Sequence, residues 1–285
     1  MFKPLKKKAR GILSAGLFLI VCILNQAVFA QERIPLGRCV AEAKVDPKIP
    51  TVVIVHGWRY RNDDFTAPPQ ELVEMGREIR ARVKATTGKR INVLYYIWPG
   101  ASRPLKAGGL RLALICRECM NIGDSTSEDG RNLAKQLRGL LGRSYREPVH
   151  FVAHSFGAFV TAHAVEDLSQ QSAWRSAVQI TTLDTSFMPT RMGSGGILKL
   201  LSAKSESGLH VTGVENIMGI PFYGVGTPLL GWGPTVPHSN TLVGRGHFGV
   251  IRYYRQTATG EISSGGFNQS FLLGEPEKIG DGPDE

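Results

Sequence analysis

Cysteine is scarce in this chain. Four occur in 285 residues, and three of them, Cys39, Cys116 and Cys119, follow residue 30. One C-x-x-C pair is too few for a structural zinc site. With no strand-helix-strand pattern around it, a thioredoxin-like motif is excluded as well. The expectation is one disulfide, within Cys116/Cys119 or from that pair to Cys39, with one thiol left over. Long runs of one charge are lacking too. Of the formal charge of +10, five positives (Lys3, Lys6, Lys7, Lys8 and Arg10) stand in the first 30 residues, which hold no acid. Without them 29 basic residues face 24 acidic ones, a net of +5. That mild balance, with no nucleic-acid-binding motif, excludes nucleic acid as the expected partner. No internal repeat is present, and no apolar run is as long as a bilayer span.

What is there begins with an export signal. The basic start precedes an apolar stretch, Gly11 to Leu24, and the small residues Val28 and Ala30 then occupy the −3 and −1 positions of a cut after Ala30. Residues 1–30 are read as a secretory signal peptide, which implies a periplasmic or secreted protein. The alternative is an uncleaved membrane anchor, for which fourteen apolar residues are short. Lipoprotein processing at Cys22 is disfavoured by Val21 before it.

The remainder is organised around Val149–Ala158, Val-His-Phe-Val-Ala-His-Ser-Phe-Gly-Ala. An apolar strand-like run stops at Ser155, and a helix-compatible segment starts at Gly157. A strand, a sharp turn with small residues two before and two after a serine (Ala153 and Gly157), and a helix describe a nucleophile elbow. Alanine replaces the usual first glycine, a mild departure because the position demands small size. The N–H of Phe156 and the helix N-terminus then face any oxyanion formed at Ser155.

Taken in order, residues 31–50 read as an extended lead-in and Thr51–Val55 as a central strand ending in His56-Gly57-Trp58. That turn supplies a second oxyanion N–H from Trp58. A helix over Pro69–Thr86 follows, then a strand over Ile91–Trp98, a long glycine-containing segment over 99–123, and a helix over Asp124–Leu141 whose Asp-Ser-Thr-Ser start offers caps. Val178–Leu183 and Val211–Met218 read as strands, and His247–Tyr254 opens a last helix or strand. Residues 219–246 hold too many glycines and prolines for regular structure. The region around 188–246, with apolar patches Ile197–Leu201 and Ile220–Leu230, is expected to form a lid and to touch a membrane surface. Residues 274–285 read as a disordered acidic tail. The fold class is α/β, a mostly parallel sheet with helices on both faces, over residues 51–273.

A serine nucleophile needs an imidazole base held by a carboxylate. Among seven histidines, His247 and His238 remain after the others are placed in strands, helices or the oxyanion turn, and His247 is favoured because it directly precedes the last element. Between the elbow helix and His247 the acids are Asp184, Glu206 and Glu215. Asp184 ends a strand and is favoured, with Glu215 as the fallback. The order Ser155, Asp184, His247 is the one this type of fold uses.

Val-Ile-Val-His-Gly-Trp, Ala-His-Ser-Phe-Gly-Ala, Leu-Asp-Thr and the late His-x6-Tyr resemble the α/β-hydrolase superfamily over roughly residues 51–255, and the Leu-Asp after the strand following the elbow is similar to its lipase-like branch. The resemblance implies the α/β-hydrolase fold, a catalytic Ser155–Asp184–His247 triad, an oxyanion hole from the Trp58 and Phe156 N–H groups, and no cofactor or metal. With the export signal of residues 1–30, the expected protein is an exported serine hydrolase acting on a small-molecule or lipid ester through an acyl-enzyme. The alternatives are a non-catalytic hydrolase-fold protein binding at the cell surface, and an amidase or peptidase with the same triad.

Overall fold

β-branched and aromatic residues fill the centre of the chain's sheet. Thr51–Val55 (β2), Thr-Val-Val-Ile-Val, is buried at every position. Such a run suits a strand covered on both faces. The structure is a computed structural model and describes residues 36–57, 67–98, 111–185, 210–218, 238–246 and 248–274. For 111–124, 210–214, 216, 218, 238–240 and 242 it describes the backbone only. The remaining elements are β1 (Arg38–Ala41), α1 (Gln70–Thr87), β3 (Asn92–Ile97), α2 (Arg111–Leu141), β4 (Val149–His154), α3 (Gly157–Ser169), β5 (Ala177–Leu183), β6 (His210–Met218), β7 (His238–Leu242) and α4 (Gly249–Thr259). Two short 3₁₀ turns, Gly266–Gln269 and Phe271–Leu273, follow.

The sheet has the order β1-β3-β2-β4-β5-β6-β7. Among the described strands only β1 runs antiparallel, against β3, while the other neighbours are all parallel. This is the mostly parallel sheet expected from the alternation of strand and helix patterns. From β2 the chain steps outward to β3, and α2 then carries it back to β4 on the other side of β2. The direction of winding therefore reverses between β2 and β4. In open α/β sheets the crevice outside the carboxyl ends of the strands at such a point is where ligands bind.

Side chains alternate between two layers. Val53 and Val55, Leu94 and Tyr96, and Phe151 and Ala153 face a core completed by α2 and α3, including Leu133, Leu137, Phe159 and Val165. Val52 and Ile54, Val93 and Tyr95 face a second core completed by α1 and α4, including Met75, Ile79, Val250 and Tyr254.

Three local expectations change. The sheet starts before Thr51, because part of the extended lead-in pairs with β3 as β1. Its edge is tied to α2 by contacts far apart in sequence: Cys39 N–H donates to Gln136 Oε1 at 2.7 Å, and Gly37 N–H to Asp129 at 2.8 Å. The helix expected from Asp124 begins at Arg111, so the Asp-Ser-Thr-Ser run is interior and caps nothing. Packing of α2 against α3 overrides the weak local preference of those residues. Within 219–246, expected to be too rich in glycine and proline for regular structure, His238–Leu242 is a strand paired in parallel with β6. Cys39 is a free, half-buried thiol on β1. Cys116 and Cys119 lie on the first turns of α2, where only the backbone is described. The signal-peptide segment, the tail beyond 274 and the lid patches at 197–201 and 220–230 lie outside the described residues.

Candidate active site

The apolar strand β4 ends at His154, and its neighbour β5 ends level with it, His154 pairing with Leu183. The next residue on each strand is the candidate nucleophile, Ser155, and the candidate acid, Asp184. These are also the two non-glycine residues with positive φ among those described, 52° at Ser155 and 49° at Asp184. A left-handed conformation costs a residue with a Cβ about 1–2 kcal/mol, and such strain persists where the surroundings hold it in place. Here the backbone does so: Ser155 N–H donates to Leu183 O at 2.9 Å, and Asp184 N–H to Ile217 O at 2.7 Å. Each strand end is thereby hooked onto the next strand. Ser155 is 4% exposed, and Asp184 is fully buried.

The elbow is pressed against the end of β2, which explains its small residues. A Cβ at Gly157 would sit 2.6 Å from Val55 O and 2.7 Å from His56 O. A Cβ at Gly57 would sit 2.6 Å from the Ser155 Cβ. All three distances are too short for any side chain, so the winding reversal between β2 and β4 brings the Gly57 backbone directly against the serine. His56 holds this corner. Its Nδ1–H donates to Gly57 O at 2.6 Å, its Nε2 accepts the Trp98 N–H at 3.2 Å, and the Trp98 indole donates to His56 O at 2.7 Å. Those bonds set the neutral Nδ1–H tautomer and leave His56 as part of the turn.

α3 starts at Gly157, with Phe156 at the N-cap position and no side-chain cap. Its amino-terminal N–H groups and the positive end of its dipole therefore lie at Ser155, an arrangement that favours an anion formed there. Phe156 itself is buried, its ring 5.7 Å from that of Phe159.

The remaining candidates fall in different places. Trp58 and His247 lie outside the described residues. On the carboxyl side of β7, however, the chain returns to the elbow: the Phe248 ring packs on the His154 ring, 5.7 Å between centroids. The position after 247 thus touches the residue before Ser155. Phe248 is 60% exposed. It carries no motif of its own in the sequence, and its adjacency to His247 is the one signal there. His238 opens β7 and is level with Val214, which is level with Ile180 and Phe151. Its backbone therefore stands four residues, roughly 13 Å, below Ser155 along the strand direction.

Glu215, the fallback acid, is also below the edge, level with Thr181. It is buried, accepts Gly266 N–H at 2.8 Å and Thr181 Oγ–H at 3.2 Å, and its pKa is pushed up by burial to about 7. Among the described residues, no group of three or more His, Cys, Asp or Glu is placed to hold a metal ion.

A strained serine between a parallel strand and a helix, at the winding reversal and beside a buried carboxylate on the next strand, defines the α/β-hydrolase fold. Chemically the arrangement offers a hydroxyl, a helix N-terminus for developing negative charge, and an acid one strand away. No protein-family profile matches the sequence, and no curated protein sequence matches it. Among solved structures the chain is similar to alpha/beta hydrolase domain-containing protein 10 from mouse, at 12% identity and a TM-score of 0.44, over 82% of this chain and 96% of that one. It is similar to a thermostable esterase at 15% identity and 0.43, over 79% of this chain and 57% of that one. A third similarity is to the type II thioesterase BorB from the borrelidin biosynthetic cluster, at 16% and 0.38, over 79% and 96%.

Proposed function

We propose that this protein is an exported serine hydrolase that cleaves carboxylic esters through an acyl-enzyme on Ser155. The observation that carries this reading is the serine's own geometry: φ of 52° at the carboxyl end of β4, with the Gly57 backbone pressed against it, Gly157 pressed against the end of β2, and α3 starting beside it. In the proposed mechanism Ser155 Oγ attacks the ester carbonyl and gives its proton to His247. The N–H groups of Phe156 and Trp58 stabilise the oxyanion. Asp184 holds the histidine's tautomer and the charge that develops on it. The imidazolium then protonates the leaving alcohol, and water, activated by the same base, hydrolyses the acyl-enzyme.

His247 is preferred to His238 because Phe248 touches His154, whereas the register sets His238 four residues below the serine. Glu215 is not preferred as the acid, because its carboxylate is taken up by Gly266 and Thr181. Cleavage after Ala30, and a lid that favours apolar acyl chains, belong to the same proposal.

The test pairs fluorophosphonate labelling with turnover of p-nitrophenyl esters of graded chain length. Ser155→Ala should abolish both while leaving the circular dichroism spectrum unchanged. His247→Ala should lower kcat by about three orders of magnitude or more, and His238→Ala should leave it near wild type. Wild-type rate should fall at acid pH as the base is protonated. Labelling that survives in Ser155→Ala would remove the nucleophile assignment. A wild-type protein neither labelled nor active on esters would favour the non-catalytic binding reading.

A further inference from the structure

The amino-terminal end of the sheet, about one strand length from Ser155 and roughly 15 Å away along β2, carries a feature that ester cleavage does not use. A cavity of about 380 Å³ lies between the β1–β2 connection, the last turns of α1 and the start of β3. Its floor is apolar, with Val45, Ile49 and Ile91. Five cations line it, against a single carboxylate, Asp46.

Two of the five have structural employment. Arg80 pairs with Glu42 at 2.8 Å, and Lys84 Nζ donates to Gly88 O at 2.8 Å, closing the carboxyl end of α1. Arg90 reaches Asp46 only at 3.5 Å and is 74% exposed. That carboxylate already accepts Lys48 N–H at 3.0 Å. Among the described residues, neither the Lys44 nor the Lys89 ammonium has an ionic or hydrogen-bonding partner. Three cations therefore face one shared carboxylate. Like charges gathered around a cavity raise the local potential and attract an anion, and an apolar floor beneath them favours hydrocarbon over water.

We propose that this cleft binds an amphiphilic anion, with a phosphate or carboxylate head on Lys44, Lys89 and Arg90 and hydrocarbon on Val45, Ile49 and Ile91. A guanidinium and two ammonium groups suit a tetrahedral or planar oxyanion. A free amphiphile and an anionic lipid headgroup share this chemistry. The inference stands apart from the reading of Ser155 as a nucleophile.

The experiment titrates the protein calorimetrically with decyl phosphate below its micelle-forming concentration, beside the triple variant Lys44→Ala/Lys89→Ala/Arg90→Ala. The difference between the two proteins is the readout, so any molecule taken up near Ser155 drops out. Saturable binding weakened at least tenfold in the triple variant is expected, with inorganic phosphate at least tenfold weaker than decyl phosphate. Lys89→Glu, a single exposed change, gives the same direction should the triple variant fold poorly. Unchanged affinity in variants with a native circular dichroism spectrum would overturn the proposal. So would inorganic phosphate binding as tightly as decyl phosphate, or no saturable binding at all. Sedimentation with phosphatidylglycerol vesicles, but not phosphatidylcholine vesicles, abolished by the triple substitution, identifies a lipid headgroup as the source. Decyl phosphate binding without sedimentation identifies a free amphiphile.

Discussion

Both faces of the sheet carry an apolar core, and they differ in what is added to it. Under α2 and α3 the strands present Val53, Leu94, Phe151 and Ile180, and the contact is apolar and close-packed. On the opposite face, β4, β5 and β6 present His150, Thr181 and Glu215 to the 3₁₀ turns, and all three are buried. These polar groups satisfy one another. Thr181 gives its one hydroxyl proton to Glu215 Oε2 at 3.2 Å, so His150 must donate from Nε2 to Thr181 Oγ, 2.9 Å, and accept at Nδ1 from the Ser270 hydroxyl, 2.9 Å. Gln179 adds two bonds to the backbone of Gln269 and Phe271. One face thus rests on displaced water and packing beneath α2 and α3, while the other joins an apolar core beneath α1 and α4 to a hydrogen-bonded relay beneath the 3₁₀ turns, whose worth depends on protonation.

The sharpest way to separate the faces is to cut each one. Phe151→Ala on the apolar face should lower the free energy of unfolding by about 3–5 kcal/mol, by the same amount at every pH, in urea titrations. A loss below about 1 kcal/mol, or one that varies with pH, would break the contrast.

Glu215→Gln probes the polar face by its pH profile. The folded pKa of Glu215 is pushed up by burial from 4.5 to about 7. The unfolded chain therefore ionises first, and stability falls as pH rises from 4.5 to 7. Asp129, buried near the β1 edge and accepting from Tyr96 and Gly37, behaves alike between 3.8 and about 6. Burial lowers the His150 pKa from 6.5 to about 3, so its contribution has the opposite sign: stability rises with pH across that window. Between 4.5 and 6.5 these effects oppose each other in the wild type. The glutamine keeps an acceptor for Gly266 and removes the Glu215 part of the falling limb, while that of Asp129 stays in both proteins. Stability of the variant relative to wild type should climb from pH 4.5 to 7 by up to about 3 kcal/mol. Parallel profiles would show that Glu215 does not titrate in this range.

The smallest effect belongs to the outer layer of the same face. Arg255 on α4 reaches Glu78 at 2.6 Å and Glu74 at 2.7 Å on α1. It is partly exposed, so Arg255→Ala should cost about 0.5–1 kcal/mol and less at high salt. A cost equal to that of Phe151→Ala would mean that ion pairing, and not packing, joins the two helices.

Short-range chemistry by itself determined a large part of this protein. β2 is legible in Thr51–Val55 because five consecutive β-branched residues suit a covered strand. α1 is legible in the spacing of Leu72, Met75, Ile79 and Val83, all of which are buried. The elbow is legible because a strand, a small–x–Ser–x–small turn and a helix leave one backbone solution. The α/β arrangement, Ser155 at a strand end and Asp184 at the end of the neighbouring strand follow from those local patterns. Tertiary structure alone decided the rest. β1 exists because Gln136 and Asp129, more than ninety residues away in the chain, bond to its backbone and that of Gly37, and no local pattern encodes such a partner. α2 runs through an apparent cap because packing on α3 outweighs the preference of Asp-Ser-Thr-Ser. The close fit of Gly57 against Ser155 required β2 and β4 to become neighbours across the winding reversal. In sequence His150 reads as a polar residue within a strand, and Glu215 as one that could serve as the fallback acid; nothing there links the two. Only the register that sets Glu215 level with Thr181, and His150 level with Gln179 one diagonal step from Thr181, makes them partners, because hydrogen bonds depend on distances in space that sequence separation does not report.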